Sequence, residues 1–304
     1  MSLSGFDTAL DVQLDQATVD RDYFARGSVS DDAFASATAR YATGTAAAQV
    51  FATALDQPYD LGSGERIDIY GTVPGQLRPV ILFIHGGYWR ALGRKDSGFM
   101  APALAEAGIA TAVPDYTLAP AVNLTEIVRQ MRAALAWLWT NAARQGIDRN
   151  RIIVSGSSAG GHLAGTLLSG GWQAAMGLPE TPVAAALPIS GLFDLAPIAR
   201  TYPDAWMQFT EDEIALLSPL RQLPARGCPI CLALGANEAA GFARQSAAYD
   251  TAWRAAGFSS EVFAVPGRHH FDVVLDLADP STALFGKLVA LVESTADQPG
   301  RITS

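Results

Sequence analysis

Basic residues are scarce in this sequence, and long apolar runs are missing from it. The 304 residues include 21 Lys and Arg against 30 Asp and Glu, which leaves a formal net charge of −9 with no basic stripe to offset it. Because nucleic acids and anionic membrane surfaces repel such a chain, we expect neither as a partner. No segment approaches the ~18 consecutive apolar residues of a membrane-spanning helix, and residues 1–20 lack a signal-peptide core. We therefore expect a cytoplasmic protein.

Cysteine is also scarce, with only Cys228 and Cys231 in the chain. Both lie in residues 228–234, an apolar segment that predicts a buried strand. Strand side chains three positions apart point to opposite faces, so these thiols are poorly placed to share a metal ion or a disulfide. The sequence also lacks a glycine-rich phosphate loop, internal repeats and low-complexity tracts. We expect core thiols, no metal site and no cofactor.

Residues 156–160 read Gly-Ser-Ser-Ala-Gly and stand between two segments of different character. An apolar run at 151–155 predicts a strand before them, and small residues at 161–165 predict a helix after them. A sharp turn between a strand and a helix holds its central residue in a strained conformation that exposes the side chain. Ser158 is therefore the candidate nucleophile.

A serine nucleophile needs donors for the oxyanion, and a glycine pair earlier in the chain can supply them. Residues 79–84 predict a buried strand that runs into His-Gly-Gly-Tyr-Trp at 85–89. Glycines at a strand end let backbone N–H groups turn towards a substrate with no side chain in the way. We assign the oxyanion hole to Gly86, Gly87 and Ala159, the last being the residue after the nucleophile. The alternative is a plain glycine turn.

The base is expected among the four histidines of the chain. His85 opens the oxyanion loop and is expected to brace it, and His162 lies on the helix after the nucleophile, where it is expected to face the core. His269 and His270 follow the predicted strand at 260–265, late in the chain, where a nucleophile–acid–base order puts the base. We prefer His270, with His269 as the alternative.

The acid that orients the histidine is expected on the loop after the strand at 228–234. This loop reads Gly-Ala-Asn-Glu, and its one carboxylate is Glu238. Asp272 competes for the role, but its place two residues after His270 is typical of the start of a helix. We assign the acid to Glu238, for which the alternative is an exposed surface side chain.

Aromatic residues cluster at two places that can face a substrate. Tyr88 and Trp89 follow the oxyanion glycines directly, so their rings are candidates for packing against an aromatic substrate or for plugging the core. The segment 196–220 contains a second aromatic group, namely Tyr202, Trp206 and Phe209 together with Met207. We expect this segment to form a small cap over the site.

Strand-like and helix-like segments alternate along the chain. Residues 109–114 and 183–189 predict strands, and residues 124–143 predict a long helix. No change of composition marks a linker, so we expect one domain over residues 1–304. Alternating strands and helices predict an α/β fold, with a mostly parallel sheet of about eight strands covered by helices on both faces.

Four short motifs together resemble the arylformamidases, also called kynurenine formamidases, of the α/β-hydrolase superfamily. These motifs lie at residues 85–90, 158–163, 242–246 and 270–271. The resemblance implies an α/β-hydrolase fold, hydrolysis of N-formylkynurenine to kynurenine and formate, a Ser-Asp-His triad and no metal. The stretch at 23–29 is similar to part of the family's amino-terminal arm, which corresponds here to about residues 1–50.

The chain departs from the family pattern at two positions. Glu238 stands where the family usually carries Asp, and Gly241 stands where it usually carries Glu. The first is an acid swap that the superfamily tolerates. Together the two departures make the resemblance point less firmly to a single substrate.

We therefore expect a serine hydrolase in which His270 takes the proton of Ser158 during attack on an acyl carbonyl. Cleavage of an aromatic formamide is the leading function, and a carboxylesterase of broad or unknown specificity is the alternative. A non-catalytic small-molecule receptor is the third hypothesis, which the complete set of nucleophile, base, acid and donors disfavours. The expected partner is a small aromatic amide or ester, and the sequence does not indicate an oligomeric state.

Overall fold

Eight β-strands run through residues 9–296, the part of the chain that the computed structural model describes. They are β1 (Ala52–Pro58), β2 (Arg66–Tyr70), β3 (Arg78–Ile84), β4 (Ala110–Pro114), β5 (Ile147–Ser157), β6 (Ala185–Ile189), β7 (Ile230–Gly235) and β8 (Ser260–Val265). All eight join one sheet in the order β1-β2-β4-β3-β5-β6-β7-β8. The β1–β2 and β2–β4 pairs are antiparallel and every other pair is parallel. The predicted α/β fold with a mostly parallel sheet is thus confirmed.

Nine α-helices accompany these strands within residues 9–296. They are α1 (Gln16–Asp22), α2 (Asp31–Ala48), α3 (Ala101–Glu106), α4 (Leu124–Asn141), α5 (Ala159–Leu168), α6 (Asp204–Met207), α7 (Glu211–Leu217), α8 (Ala240–Ala255) and α9 (Ala283–Glu293). Five helices begin at a side chain that accepts a hydrogen bond from a first-turn N–H, which satisfies a group the helix itself leaves unpaired. None of the helices in this part of the chain is both long enough and apolar enough to cross a lipid bilayer.

The central strands bury both of their faces, and β3 shows how. Val80, Leu82 and Ile84 pack into one hydrophobic cluster, whereas Ile81 and Phe83 pack into another. The first cluster includes side chains of α1, α4, α5 and α8, and the second includes side chains of α2, α3 and α9. Because side chains alternate along a strand, the helices cover both faces of the sheet, as predicted. The strand ends are therefore where polar side chains can gather.

Predicted and observed elements differ mainly at their ends. The strand predicted from residue 228 begins at Ile230, because Pro229 has no N–H to donate to a neighbouring strand. Cys228 therefore precedes β7 and is half-buried, while Cys231 is buried within the strand. Burial raises the pKa of the Cys231 thiol to about 12. The two cysteines consequently differ in their surroundings.

The segment before β1 is attached to the carboxyl-terminal half of the chain by a cluster of charges. Arg244, on α8, binds both carboxylate oxygens of Asp11 at 2.8 and 2.9 Å and binds Asp22 at 2.8 Å. Both carboxylates are buried, and this guanidinium compensates their charges, together with Arg21 at Asp22. Of the predicted arm at about 1–50, the first eight residues lie outside the described residues.

At Gly241, helix α8 packs closely against this segment. A Cβ atom added to Gly241 would lie 2.6 Å from the Tyr23 ring and 2.6 Å from the backbone oxygen of Asp22. Tyr23 is itself fully buried and donates a hydrogen bond to Asp11. The space that a larger side chain at position 241 would occupy is therefore filled by the amino-terminal segment.

Candidate active site

Ser158 occupies the tight turn between β5 and α5. Its backbone has φ 59° and ψ −117°, a conformation that a residue with a side chain rarely adopts. The turn is held by hydrogen bonds from the Ser158 N–H to Ile189 O at 2.8 Å and from the His162 N–H to Ser158 O at 3.0 Å. A Cβ atom on Gly160 would lie only 2.0 Å from Ile84 O, so the helix can start this close to β3 only with glycine there.

His270 and Glu238 form a hydrogen-bonded pair beyond the ends of β7 and β8. The distance from His270 Nδ1 to Glu238 Oε2 is 2.8 Å, and the two side chains are only 4% and 1% exposed. The other carboxylate oxygen, Oε1, accepts hydrogen bonds from Ser190 Oγ and from the Gly235 N–H, both at 2.6 Å. With Nδ1 engaged by the carboxylate, Nε2 is the ring nitrogen left to exchange a proton.

Aromatic side chains fix the position of the His270 ring. Phe242 lies 4.3 Å from it between ring centroids, and Phe271 packs on it edge to face at 5.2 Å. Phe34 in turn packs edge to face on Phe271, and Tyr41 donates a hydrogen bond to the Phe271 carbonyl oxygen. Side chains from α2 therefore support the loop that carries the histidine.

His269 and Asp272, the alternatives for base and acid, bond to the backbone of their own turn. Asp272 accepts a hydrogen bond from the His269 N–H at 2.7 Å, and His269 Nδ1 accepts from the N–H groups of Phe271 and Asp272 at 3.1 and 3.2 Å. Asp272 thus stabilises the turn after β8. The pair that meets across the sheet edge is His270 with Glu238.

The glycine loop after β3 lies directly against the serine turn. A Cβ atom on Gly86 would be 3.4 Å from Ser158 Cβ and 2.6 Å from Ser157 O, so this approach requires glycine. Gly87 has φ +90°, which also favours glycine. Ala159 is the first residue of α5, where the N–H has no partner within the helix. Of the three predicted oxyanion donors, Gly86 lies against the serine, Gly87 lines the same cavity and Ala159 follows the serine in the chain.

The His85 side chain stabilises this loop. Its Nδ1 lies 3.1 Å from Gly86 O, and its ring stacks on Tyr116 at 4.1 Å. The Tyr116 hydroxyl donates to the carbonyl oxygens of His85 and Gly86 at 3.2 and 3.1 Å. Burial lowers the pKa of His85 to about 4, so the ring is neutral near pH 7.

Ser158 and His270 open into one cavity of about 390 Å³. Its wall is mainly apolar and aromatic and draws on distant parts of the chain, including Phe34, Tyr41, Phe83, Tyr88, Phe99, Tyr202, Trp206, Phe271 and Val274. Residues of the amino-terminal segment and of 196–220 thus meet at the same opening. A cavity of this size and lining accommodates a small molecule with an aromatic ring.

Tyr88 and Trp89 have different surroundings, although they are adjacent in sequence. Tyr88 lines the cavity, and its hydroxyl donates to Tyr23 O at 2.6 Å. Trp89 is fully buried, with its ring edge to face against His162 at 5.2 Å and Phe209 at 5.8 Å. Trp89 therefore plugs the core beside the loop, and Tyr88 is the ring that a substrate can touch.

Ser190 belongs to the candidate site, although none of the sequence motifs includes it. It follows β6, has φ 50°, and donates to Glu238. Its position at the carboxyl end of a predicted parallel strand could have indicated a site residue, because such strand ends meet at one edge of the sheet. The same edge carries Ser158 after β5 and Glu238 after β7.

Comparisons with known proteins identify the relatives of this chain. The BD-FAE family model matches residues 67–198. The kynurenine formamidase of Salmo salar is 32% identical over 259 residues, which cover 82% of this chain and 86% of that protein. The kynurenine formamidase of Danio rerio is 29% identical over 272 residues, covering 86% and 90% respectively.

Solved structures show the same fold. A protein from Silicibacter, provisionally assigned as a thioesterase, superposes with a TM-score of 0.74 at 27% identity and covers 90% of this chain and 98% of its own. An esterase of Pyrobaculum calidifontis superposes with a TM-score of 0.68 at 16% identity, covering 86% and 93%. The chain is an α/β-hydrolase and belongs to the kynurenine formamidase family.

Proposed function

We propose that this protein is a serine hydrolase that removes the formyl group from an aromatic formamide, with N-formylkynurenine as the leading substrate. The observation that carries the proposal is that Ser158, in a strained turn, and His270, which is paired with Glu238, line one cavity. The relatives named kynurenine formamidase support the choice of substrate.

The first half of the proposed reaction transfers the formyl group to the enzyme. Ser158 Oγ attacks the formyl carbon while His270 Nε2 takes the hydroxyl proton. The carbonyl oxygen becomes an oxyanion that accepts hydrogen bonds from the N–H groups of the glycine loop and Ala159. His270 then gives its proton to the departing aromatic nitrogen, the C–N bond breaks, and the formyl ester of Ser158 remains.

The second half releases formate and restores the serine. Water replaces the amine, and His270 removes one of its protons as the oxygen attacks the formyl ester. A second oxyanion forms in the same hole, the ester C–O bond breaks, and Ser158 recovers its proton from His270. Glu238 orients the imidazole and stabilises the imidazolium in both halves.

The cavity supports an aromatic substrate. Tyr88 and the rings of Tyr202 and Trp206 lie in the wall, where flat faces can pack on an aryl leaving group. Two of these rings come from 196–220, so we propose that this segment is the cap over the site. The alternative activity is that of a carboxylesterase, which the likeness to Esterase LipQ of Mycobacterium tuberculosis favours at 28% identity over 72% of this chain and 57% of that protein.

A panel of three substrates tests the proposal. Purified protein is given N-formylkynurenine, a simple aryl ester and an aliphatic ester of ten or more carbons, with and without a metal chelator. We expect the highest kcat/KM on the formamide, lower values on the aryl ester, and no effect of the chelator, because the serine supplies the nucleophile. A preference for the aliphatic ester contradicts the substrate, and loss of activity on chelation contradicts the serine mechanism.

A further inference from the structure

Arg90 places an uncompensated positive charge on the wall of the catalytic cavity. Its side chain lines the cavity, and its guanidinium lies 4.8 Å from the centre of the Trp206 ring. Within the described residues 9–296 this side chain forms neither an ion pair nor a hydrogen bond with the protein. Stacking uses one face of the guanidinium and leaves its N–H groups, which lie in the plane, free for a ligand.

The platform under this guanidinium is fixed by hydrogen bonds. Trp206 Nε1 donates to Tyr88 O at 3.1 Å, and the Arg90 N–H donates to Gly87 O at 3.0 Å. Arg90 thus follows the oxyanion loop within a single turn. The backbone of Arg90 is therefore fixed beside the oxyanion loop, and the Trp206 ring places its guanidinium on the cavity wall, as a specificity contact requires.

The other charged side chains of the cavity do not compete for this role. Arg26 donates to Val29 O at 3.1 Å, forms an ion pair with Asp31 and stacks on Phe34 at 4.6 Å, so its charge is already used. Asp96 is the one carboxylate among the lining residues that the structure describes. A substrate anion placed near Asp96 would be repelled, which leaves Arg90 as the place where a negative group is stabilised.

We propose that Arg90 is a specificity-determining residue that binds a carboxylate of the substrate while the acyl group lies at Ser158. This inference rests on the proposed function, and it names the residue that would select substrates with a carboxylate over neutral substrates. A guanidinium binds a carboxylate through two parallel N–H···O hydrogen bonds, which is both strong and directional. The contact lies away from the bond that breaks, so its loss raises KM more than it lowers kcat.

The test compares substrates that differ only in this charge. N-formylkynurenine and its α-carboxamide present the same formamide, and their ratio of kcat/KM isolates recognition of the carboxylate. We expect the wild type to prefer the carboxylate by about 10-fold or more, Arg90→Gln to bring the ratio close to one, and Arg90→Glu to reverse the preference. Arg254→Gln, which removes an arginine that does not line the cavity, is the matched control and keeps the wild-type ratio.

A second pair separates failure of this inference from failure of the formamidase assignment. The esters 4-acetoxybenzoate and 4-acetoxybenzamide differ in the same charge and need only a serine esterase. If the formamides are not cleaved, the proposed substrate is wrong, but a drop of the ester ratio in Arg90→Gln still supports carboxylate recognition. A wild-type ratio near one, or a ratio that Arg90→Gln leaves unchanged, overturns the role of Arg90 on whichever pair is cleaved.

Discussion

Glu238 receives three hydrogen bonds, and they restrict how an amide could replace it. The Gly235 N–H donates to Oε1, so the NH₂ group of a glutamine cannot sit there and must face His270 instead. There it would demand an acceptor, which forces the proton of the imidazole onto Nε2 and prevents that nitrogen from accepting the serine proton. In such a variant the backbone of the loop would thus set the tautomer of His270, the proposed base.

We accordingly expect Glu238→Gln to lower kcat by at least about 100-fold with little change in KM. Asp272→Asn is the matched control, because the Asp272 carboxylate contacts the His269 N–H, the His269 ring and Arg268 but not His270, and it should retain most of the activity. Steady-state measurement of kcat and KM on the two purified variants tests this assignment of the acid. Greater loss in Asp272→Asn would move the acid role to that residue.

Two buried histidines make the stability of the fold depend on pH. Burial lowers the pKa values of His85 and His162 to about 4, below the value of about 6.5 expected in the unfolded chain. Between these values the unfolded state binds more protons, so the free energy of unfolding rises with pH in this window and is constant above it. Each group contributes a slope of up to about 1.4 kcal/mol per pH unit.

Chemical denaturation at several pH values measures this slope. We expect stability to fall as pH is lowered from about 6.5 to 4, and His162→Gln to show a shallower fall than the wild type because one titrating group is gone. Equal slopes in the two proteins would show that His162 is not responsible.

The residues of the candidate site can be singled out from the sequence where a motif or an elimination points to them. Ser158 and the glycine loop have recognisable neighbours in sequence, and four histidines are few enough to compare one by one. The separate surroundings of Tyr88 and Trp89 were not predictable. Both have positive φ, and the local turn that directs one ring to the cavity and the other to the core leaves no mark in composition.

Among the elements, α5 depends on how closely it can approach β3. A Cβ atom on Gly160 would lie 2.0 Å from Ile84 O and 2.6 Å from His85 O, both backbone atoms that cannot move without displacing the oxyanion loop. Gly286, on α9, has nothing within 4 Å of the equivalent position. Packing therefore requires glycine at position 160 but not at position 286.

We expect Gly160→Ala to lower both thermal stability and activity, or to prevent folding. Gly286→Ala is the matched change on another helix, and it should stabilise the protein by up to about 1 kcal/mol, since alanine favours a helix over glycine. Thermal unfolding of the two variants and of the wild type measures these differences in stability. A Gly160→Ala protein as stable and active as the wild type would show that α5 does not need glycine at this position to pack against β3.

The amino-terminal segment and α8 are joined through Arg244, and this junction can be tested within one helix. Arg244→Met removes the only ion-pair partner that the buried Asp11 carboxylate has among the described residues, and it leaves Asp22 paired with Arg21 alone. We therefore expect a loss of about 2 kcal/mol or more in the free energy of unfolding. Arg254→Met on the same helix breaks an exposed pair with Asp250 and should cost less than about 1 kcal/mol. Similar losses of unfolding free energy in both variants would contradict the proposed role of Arg244 in holding the amino-terminal segment on α8.

At the scale of the whole molecule, the class of fold was predictable and the cavity wall was not. Alternating apolar segments such as β3 and β6 lie close to their predicted bounds, because a strand buried on both faces needs a continuous apolar run. The wall instead joins Phe34, Tyr41 and Trp206, which are far apart in sequence. Such contacts depend on the tertiary arrangement, so they cannot be predicted from periodicity or motif spacing.

The central claim is that Ser158 carries out hydrolysis of an aromatic formamide. Its most direct test is the release of kynurenine and formate from N-formylkynurenine by the purified wild type and by Ser158→Ala, with far-ultraviolet circular dichroism to show that both are folded. We expect equimolar products from the wild type and less than about a thousandth of that rate from the variant. A folded Ser158→Ala protein that keeps more than about a tenth of the wild-type rate would contradict the account.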